Sequence, residues 1–450
     1  MSSFKVTGGV ELKGSIEPQG AKNEALQIVA SSVLVQKLKI INCPNILDIR
    51  NLLIILENGG AKINWDIEII NGSQKNILHI DTTNLNSEYF KSGEYLNLSE
   101  KLRGSLMLIG PLLSRFGVAY IPSVGGDKIG KRPIDTHING FLMCGAKLLK
   151  DKNNNDYLEL KEEHITLNKE IILNEPSVTG SANIIMCLTK NINHRKNITL
   201  YNAACETYIS QLISLLNKVG MEINGGGSNL LKINGNIKSD FESKDYVEHN
   251  VLPDFIEVAS FISLAMATKS EIIIKNAGVS NLGMTLSMFE KLGCKFEING
   301  DDIKVLKQDS YEIQKMYDGS MTTIYSAPWP MTSPDVISVG IVAALQCAGN
   351  VLFHEKMYEA RMFFVDKLVA MKGSIVLCDP HRVVVSGNNW RSRLSARNMT
   401  SPDIRAGIAL LIAALGAEGE STIDNIEQID RGYENIEQRL ALLGAKIIRI

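Results

Sequence analysis

The chain has 450 residues, 45% of them hydrophobic and 21% charged. A single core stops growing near ~250–300 residues, so two domains are predicted, and the ordinary composition excludes wholesale disorder and fibrous repeats. Lys+Arg 47 against Asp+Glu 49 leaves a net charge of −2, which gives no global attraction to nucleic acid or anionic membrane, so any anion site is a local cluster.

In chain order, the first predicted strand lies in KVTGGVELKGSIEPQG and needs a partner from elsewhere in the chain. Lys22 follows in GAKNEAL, where a glycine turn opens a helix. From there one pattern recurs. A β-rich run ends in a polar residue, and 17 to 19 residues later an apolar-periodic stretch exits through glycine into another β-rich run. The glycines are Gly60, Gly145, Gly220, Gly293, Gly373 and Gly444, spaced by 71 to 85 residues. The polar markers upstream are Asn42, Asn202, Asn276, Glu355 and Asn425, while the second unit carries VAYIPS instead. Glycine at such an exit predicts a left-handed C-cap handing the chain to a strand. Six units of this length, each with two helices and several strands, predict an α/β protein of two domains with three units each. Polar or glycine-rich breaks fall near Gly20–Lys22 and His249–Pro253.

Special residues sit at the unit junctions. Gly125 to Arg132 matches G-x-x-x-x-G-K after a strand, the setting of a phosphate-cradling loop, but Arg132 and Pro133 replace the Ser/Thr that would hold Mg²⁺. A glycine-flanked lid carrying Asp127 and the cations Lys128, Lys131 and Arg132 over an anionic substrate fits better. Arg103, Arg361 and Arg405 stand beside apolar runs, and Arg431 sits in QIDRGYE. The bland reading of the last two is ion pairing with Asp403 and Asp430; the sharper one is a convergent anion site of guanidinium forks. Asp335 in Ser333-Pro334-Asp335 reads as a helix cap, a reading strengthened by the second copy Ser401-Pro402-Asp403. The seven cysteines are scattered singly and predict reduced thiols, and no His/Asp/Glu spacing suggests a metal. The N-terminal MSSFKVTGG lacks a secretory pattern, and the longest apolar run, 406–417, is shorter than the ~20 residues of a bilayer span. A cytoplasmic location is predicted, with no nucleic-acid or membrane partner.

GAKNEAL, LRGSLMLIGPLLSRFG, GGDKIGKRPIDTH, PSVTGSANIIM, APWPMTSPD and IEQIDRGYENIEQRLALLGAKI together resemble the bacterial UDP-N-acetylglucosamine 1-carboxyvinyltransferases. That enolpyruvyl transferase family shares its fold with the shikimate-pathway enzyme EPSP synthase. The similarity runs from about residue 4 to residue 450. It implies a two-domain inside-out α/β barrel of six βαβαββ repeats, with the active site in the cleft between the domains. Domain I would comprise 1–21 plus 250–450. Domain II would comprise 22–249 and carry a mobile lid at about 123–133. The implied reaction moves the enolpyruvyl group of phosphoenolpyruvate to the 3-hydroxyl of UDP-N-acetylglucosamine and releases phosphate, with no cofactor or metal. It is the first committed step of peptidoglycan precursor synthesis.

The resemblance also implies roles. Lys22 contacts phosphoenolpyruvate, with Asn23 near the sugar and Arg103 on the substrate anions. Asp127 holds the lid position usually filled by cysteine, the general acid, and would need a raised pKa. Arg132 reaches phosphate, while Pro133, Asp135 and Thr136 line the uridine. The loop of Ser177, Val178 and Gly180 offers backbone N–H groups to the diphosphate, with Thr179 the alternative donor to Gly180. Asp335 is the base on the 3-hydroxyl, Met357 lies beside the sugar nucleotide, and Arg405 and Arg431 grip phosphoenolpyruvate. Without the lid cysteine, insensitivity to fosfomycin is expected. Phe255 stands where arginine is common in the family.

Overall fold

The computed structural model describes all residues except 1, 124, 126–128, 162–169, 190–196 and 236–244. It divides into two compact units. One comprises Met1–Gln19, Pro253–Ile450 and a short segment ending at Lys131; the other comprises Gly20–Gly126 and Arg132–Leu252. Backbone bonding fixes the crossings. Gln19 O accepts from Asp254 N–H at 2.9 Å within the first unit, and Ala21 N–H donates to Leu252 O at 2.8 Å within the second. The lid was expected to lie wholly with the second unit. Residues 129–131 group with the first, because Ala360 N–H donates to Ile129 O at 3.0 Å and Lys131 N–H to Glu359 Oε1 at 2.9 Å.

Each unit contains three small sheets. One repeat shows the plan in unbroken chain order. Strand Thr322–Ser326 runs into helix Pro334–Ala344, then strand Ala348–Glu355, helix Val365–Ala370 and the hairpin Ile375–Asp379/Arg382–Asn388. The first two strands pair in parallel and the rest antiparallel, which is a βαβαββ unit. Other sheets borrow a strand from far along the chain. Ser3–Thr7 completes the last repeat, pairing antiparallel with both Glu420–Asp424 and Lys446–Arg449. Lys13–Ile16 pairs in parallel with Glu271–Ile274, and Val247–Asn250 with Lys37–Ile41. The sheet of Val118–Tyr120, Lys147–Lys150 and Asp156–Glu159 has three strands among the described residues.

The helix that opens each repeat is the core. In the first unit Phe255–Thr268, Pro334–Ala344 and Ile404–Gly416 pack against one another. Every residue of the first and third of these is buried. Sequences such as FIEVASFISLAMAT are apolar on all sides, and a helix of that kind is stable only when surrounded. In the second unit Lys22–Val35, Ile109–Phe116 and Val178–Cys187 play the same part. The sheets lie outside, as the alternating burial of their strands shows.

The repeat markers acquire a physical meaning here. Gly60, Gly145, Gly220, Gly293 and Gly444 have φ between 87° and 108°, the left-handed exit expected of them. The sixth does not: at that exit Lys372 takes φ 69°, and Gly373 follows it. The four asparagine markers are left-handed too, with φ from 49° to 59°. Asparagine tolerates this region because its short amide bonds locally. The Nδ2 groups of Asn42, Asn202 and Asn425 donate to Val251, Leu173 and Ser401 carbonyls at 2.8–2.9 Å, tying the second strand's end to the first. These junctions are where the site residues emerge.

Candidate active site

In the second unit the site begins at Gly20. A Cβ there would run into the Asn42 carbonyl, so only glycine lets the chain pass. Lys22 follows as the first residue of helix Lys22–Val35. A cation at a helix N-terminus opposes the macrodipole, and this one is 6% exposed. It is held by Asp48 Oδ2 at 2.5 Å, itself in the first turn of helix Leu47–Asn58. Two residues on, in the same first turn, Glu24 pairs with His249 Nε2 at 2.8 Å. A buried ion pair that breaks a local rule marks function better than stability. Asn23 beside it is half-buried.

Arg103 Nη2 donates to Arg132 O at 2.7 Å, bringing the two predicted anion-binding arginines to one place. Pro133 and Asp135 are exposed, whereas Thr136 and His137 in helix Asp135–Met143 are buried. Thr136 packs where a Cβ on Gly180 would sit, and His137 Nε2 meets Thr179 Oγ1 at 2.9 Å. Ser177 caps helix Val178–Cys187 by accepting Gly180 N–H at 3.2 Å. That commits the Gly180 donor and leaves Val178 and Thr179 as first-turn N–H groups outside the helix ladder, the donors such a terminus turns toward an anion. Burial, helped by Arg103, pushes the His137 pKa down to about 4. The folded value lies below the ordinary 6.5, so His137 stabilises the fold above pH 6.5 and that contribution is lost as pH falls towards 4. Wild type is expected to lose up to about 3 kcal/mol across that window relative to His137→Gln, read from melting at pH 7 and pH 4.5.

In the first unit the centre is Asp335. Ser333 caps helix Pro334–Ala344, which frees the Asp335 carboxylate from the capping role predicted for it. Its Oδ1 meets Arg361 Nη2 at 2.6 Å and its Oδ2 meets Arg405 Nη2 at 3.2 Å. The second Ser-Pro-Asp behaves differently: Asp403 is the cap, accepting Arg405 and Ala406 N–H at 2.9 and 3.0 Å. Arg405 therefore has Asp335 as an ion-pair partner, while Asp403 caps its helix. Arg361 is 5% exposed. Burial works against its charge, but Asp335, Asp403 and Glu355 outweigh it and hold the guanidinium pKa above its ordinary value. Arg361 was noticed in the sequence only as an arginine beside an apolar run. Its spacing from Met357, which is half-buried, was the available signal.

Arg431 Nη1 donates to Gln428 Oε1 at 2.8 Å. The predicted alternative partner, Asp430, is instead taken by both outer nitrogens of Arg449 at 2.8 Å. On the phosphoenolpyruvate-gripping role that the resemblance implies, Arg431→Lys is expected to raise the phosphoenolpyruvate KM about 10- to 100-fold. An ammonium cannot reproduce a two-pronged contact, and one charge-assisted bond is worth ~1.5–3 kcal/mol. Steady-state kinetics with wild-type values would make Arg431 an ordinary surface residue.

Asp127 lies outside the described residues. Lys131, which ends the G-x-x-x-x-G-K match, is not helical and the next helix starts only at Asp135, whereas a nucleotide-binding loop runs straight into its helix. Gly130 instead lies against the Glu359 carboxylate. Phe255 packs on Trp329, ring centroids 5.8 Å apart. All seven cysteines are thiols, five of them buried. Among the described residues no group of His, Cys, Asp and Glu is arranged to hold a metal, and no helix is long and apolar enough to cross a membrane.

The repeat junctions carry Lys22, Arg103 and Arg132 in one unit and Asp335 between Arg361 and Arg405 in the other, residue types suited to anions. The family profile of EPSP synthase (3-phosphoshikimate 1-carboxyvinyltransferase) matches residues 6–440. The enolpyruvyl transferase NikO from Streptomyces tendae superposes with a TM-score of 0.83 at 19% identity, covering 100% of this chain and 99% of its own. EPSP synthase from Acinetobacter baumannii superposes at 0.65 and 14%, covering 100% of both. The UDP-N-acetylglucosamine 1-carboxyvinyltransferases of Bacteroides thetaiotaomicron and Porphyromonas gingivalis are each 47% identical over the whole of both chains. The chain belongs to the EPSP synthase family, and within it to the UDP-N-acetylglucosamine 1-carboxyvinyltransferases.

Proposed function

We propose that this protein transfers the enolpyruvyl group of phosphoenolpyruvate to the 3-hydroxyl of UDP-N-acetylglucosamine, releasing phosphate, as the first committed step of peptidoglycan precursor synthesis in the cytoplasm. The observation that carries the reading is full-length identity of 47–48% to relatives bearing that enzyme's name.

The chemistry is addition followed by elimination. The 3-hydroxyl oxygen attacks C2 of phosphoenolpyruvate and gives up its proton, while C3 takes a proton and becomes a methyl group. A proton then leaves that methyl as the C–O bond to phosphate breaks, regenerating the double bond. Asp335 is the base. Each carboxylate oxygen has about two acceptor sites, so contacts to Arg361 and Arg405 orient the group and still leave room for a hydroxyl proton. Asp127 is the acid at C3. Lys22, Arg132, Arg405 and Arg431 offset the charge on phosphate and carboxylate, and Arg103 with the N–H groups of Val178 and Thr179 receives the diphosphate. Asn23 and Met357 contact the sugar nucleotide; Pro133, Asp135 and Thr136 line the uridine. The substrate itself carries the leaving group and the carbon unit, so the balance closes without a cofactor. Mass spectrometry of the sugar nucleotide tests the reading: a product heavier by one enolpyruvyl group is expected, and unmodified sugar nucleotide with both substrates present contradicts it.

A further inference from the structure

The segment 431–434 supplies Arg431 and also reaches Arg405. Arg405 Nη1 donates to Tyr433 Oη at 3.5 Å, and its guanidinium lies 5.9 Å from that ring. Burial pushes the Tyr433 phenol up to about 12, so it keeps its proton and donates it to Ser260 Oγ at 3.1 Å. Ser260 in turn donates to Ile256 O at 2.9 Å on the inner helix. Whatever fixes this segment therefore sets two guanidinium groups at once.

Gln19 fixes it. Its Nε2 donates to Gly432 O at 2.8 Å, and its Oε1 accepts Glu434 N–H at 2.7 Å. An amide side chain donates to a carbonyl through one atom and accepts from an N–H through another. Gln19 is 8% exposed, and its own backbone is immobilised. Its N–H donates to Glu257 Oε2 at 2.6 Å, and its carbonyl accepts from Asp254 N–H at 2.9 Å. Glu257, fully buried in the first turn of helix Phe255–Thr268, is gripped by Arg439 at 2.6 and 3.0 Å. Arg439 also donates to Glu17 O at 2.6 Å. The crossing segment 17–19, the inner helix and the 431–434 segment are thus one hydrogen-bonded network. A free-standing structural role would need only the buried pair; the amide reaching both sides of Tyr433 is additional.

We propose that Gln19 is a positioning residue of the transfer reaction, holding 432–434 so that Arg431 directly, and Arg405 through Tyr433, present their guanidinium groups to phosphoenolpyruvate. This rests on the function proposed above. In Gln19→Ala the phosphoenolpyruvate KM is expected to rise about fivefold to tenfold, the worth of one to two hydrogen bonds, with the UDP-N-acetylglucosamine KM within about twofold of wild type. Combined with Arg431→Lys, it should add less than its own rise of about fivefold to tenfold, because the part acting through Arg431 is already lost. Gln19→Glu keeps the acceptor for Glu434 and loses the donor to Gly432, so about a threefold rise is expected; it carries the test if the alanine variant does not fold. Lower turnover with both KM values unchanged, or fully additive losses in the double variant, would overturn the proposal and leave Gln19 merely structural. Absence of turnover in wild type would bring down the proposed function itself, and this inference with it.

Discussion

Asp335→Asn is expected to lower kcat/KM by about 10²–10⁴-fold, the range in which a positioned general base contributes. The amide matches the carboxylate in shape but cannot take the hydroxyl proton. It also presents an NH₂ to a guanidinium: of the two arginines now 2.6 and 3.2 Å from the carboxylate oxygens, one must lose its acceptor. Asp335 is partly exposed, its side chain at 21%, so water softens that loss to about 1–3 kcal/mol of stability. The activity loss should therefore far exceed anything the melting temperature accounts for. Near-normal turnover in a folded Asn variant would return Asp335 to the helix-start role that Ser-Pro-Asp first suggested.

The lid gives the second large effect. Wild type is expected to withstand fosfomycin, because a carboxylate at Asp127 is a far poorer nucleophile towards an epoxide than a thiolate. Of the seven cysteines only Cys378 is exposed. Cys144 is 1% exposed, and burial pushes Cys294 up to about 12, while Cys205 is also raised, by burial and then by Glu206. Asp127→Cys should keep measurable turnover, since a thiol can donate the proton, and should acquire time-dependent inactivation by the drug. Asp127→Asn should lose turnover by about 10²-fold or more, because an amide is no acid at neutral pH. Covalent modification of the unmutated protein, or near-normal turnover in the Asn variant, would remove Asp127 from the acid's role.

Much of the architecture was readable because it repeats. Five glycines and four asparagines mark positions where the backbone needs left-handed residues, and few residue types supply them. What the sequence hid was long-range. Nothing local says that Ser3–Thr7 closes the last repeat, or that Val247–Asn250 pairs beside Lys37–Ile41. Partner choice was hidden for the same reason. The two Ser-Pro-Asp motifs look alike, yet one places its aspartate between an arginine of its own repeat and one of the next, and the other spends it on backbone N–H groups. Sequence proximity did not show that Arg449 would hold Asp430, or that Asp335 would reach Arg405 while Asp403 capped its helix. Gln19 gave no signal at all, because its work is done through main-chain atoms some four hundred residues away along the chain.

The most direct measurement is inorganic phosphate release from phosphoenolpyruvate in the presence of EDTA, with UDP-N-acetylglucosamine, with shikimate 3-phosphate, and with neither. Release that depends on the sugar nucleotide and is indifferent to EDTA is the predicted result. Release that follows shikimate 3-phosphate instead, or none with either acceptor, would contradict the account.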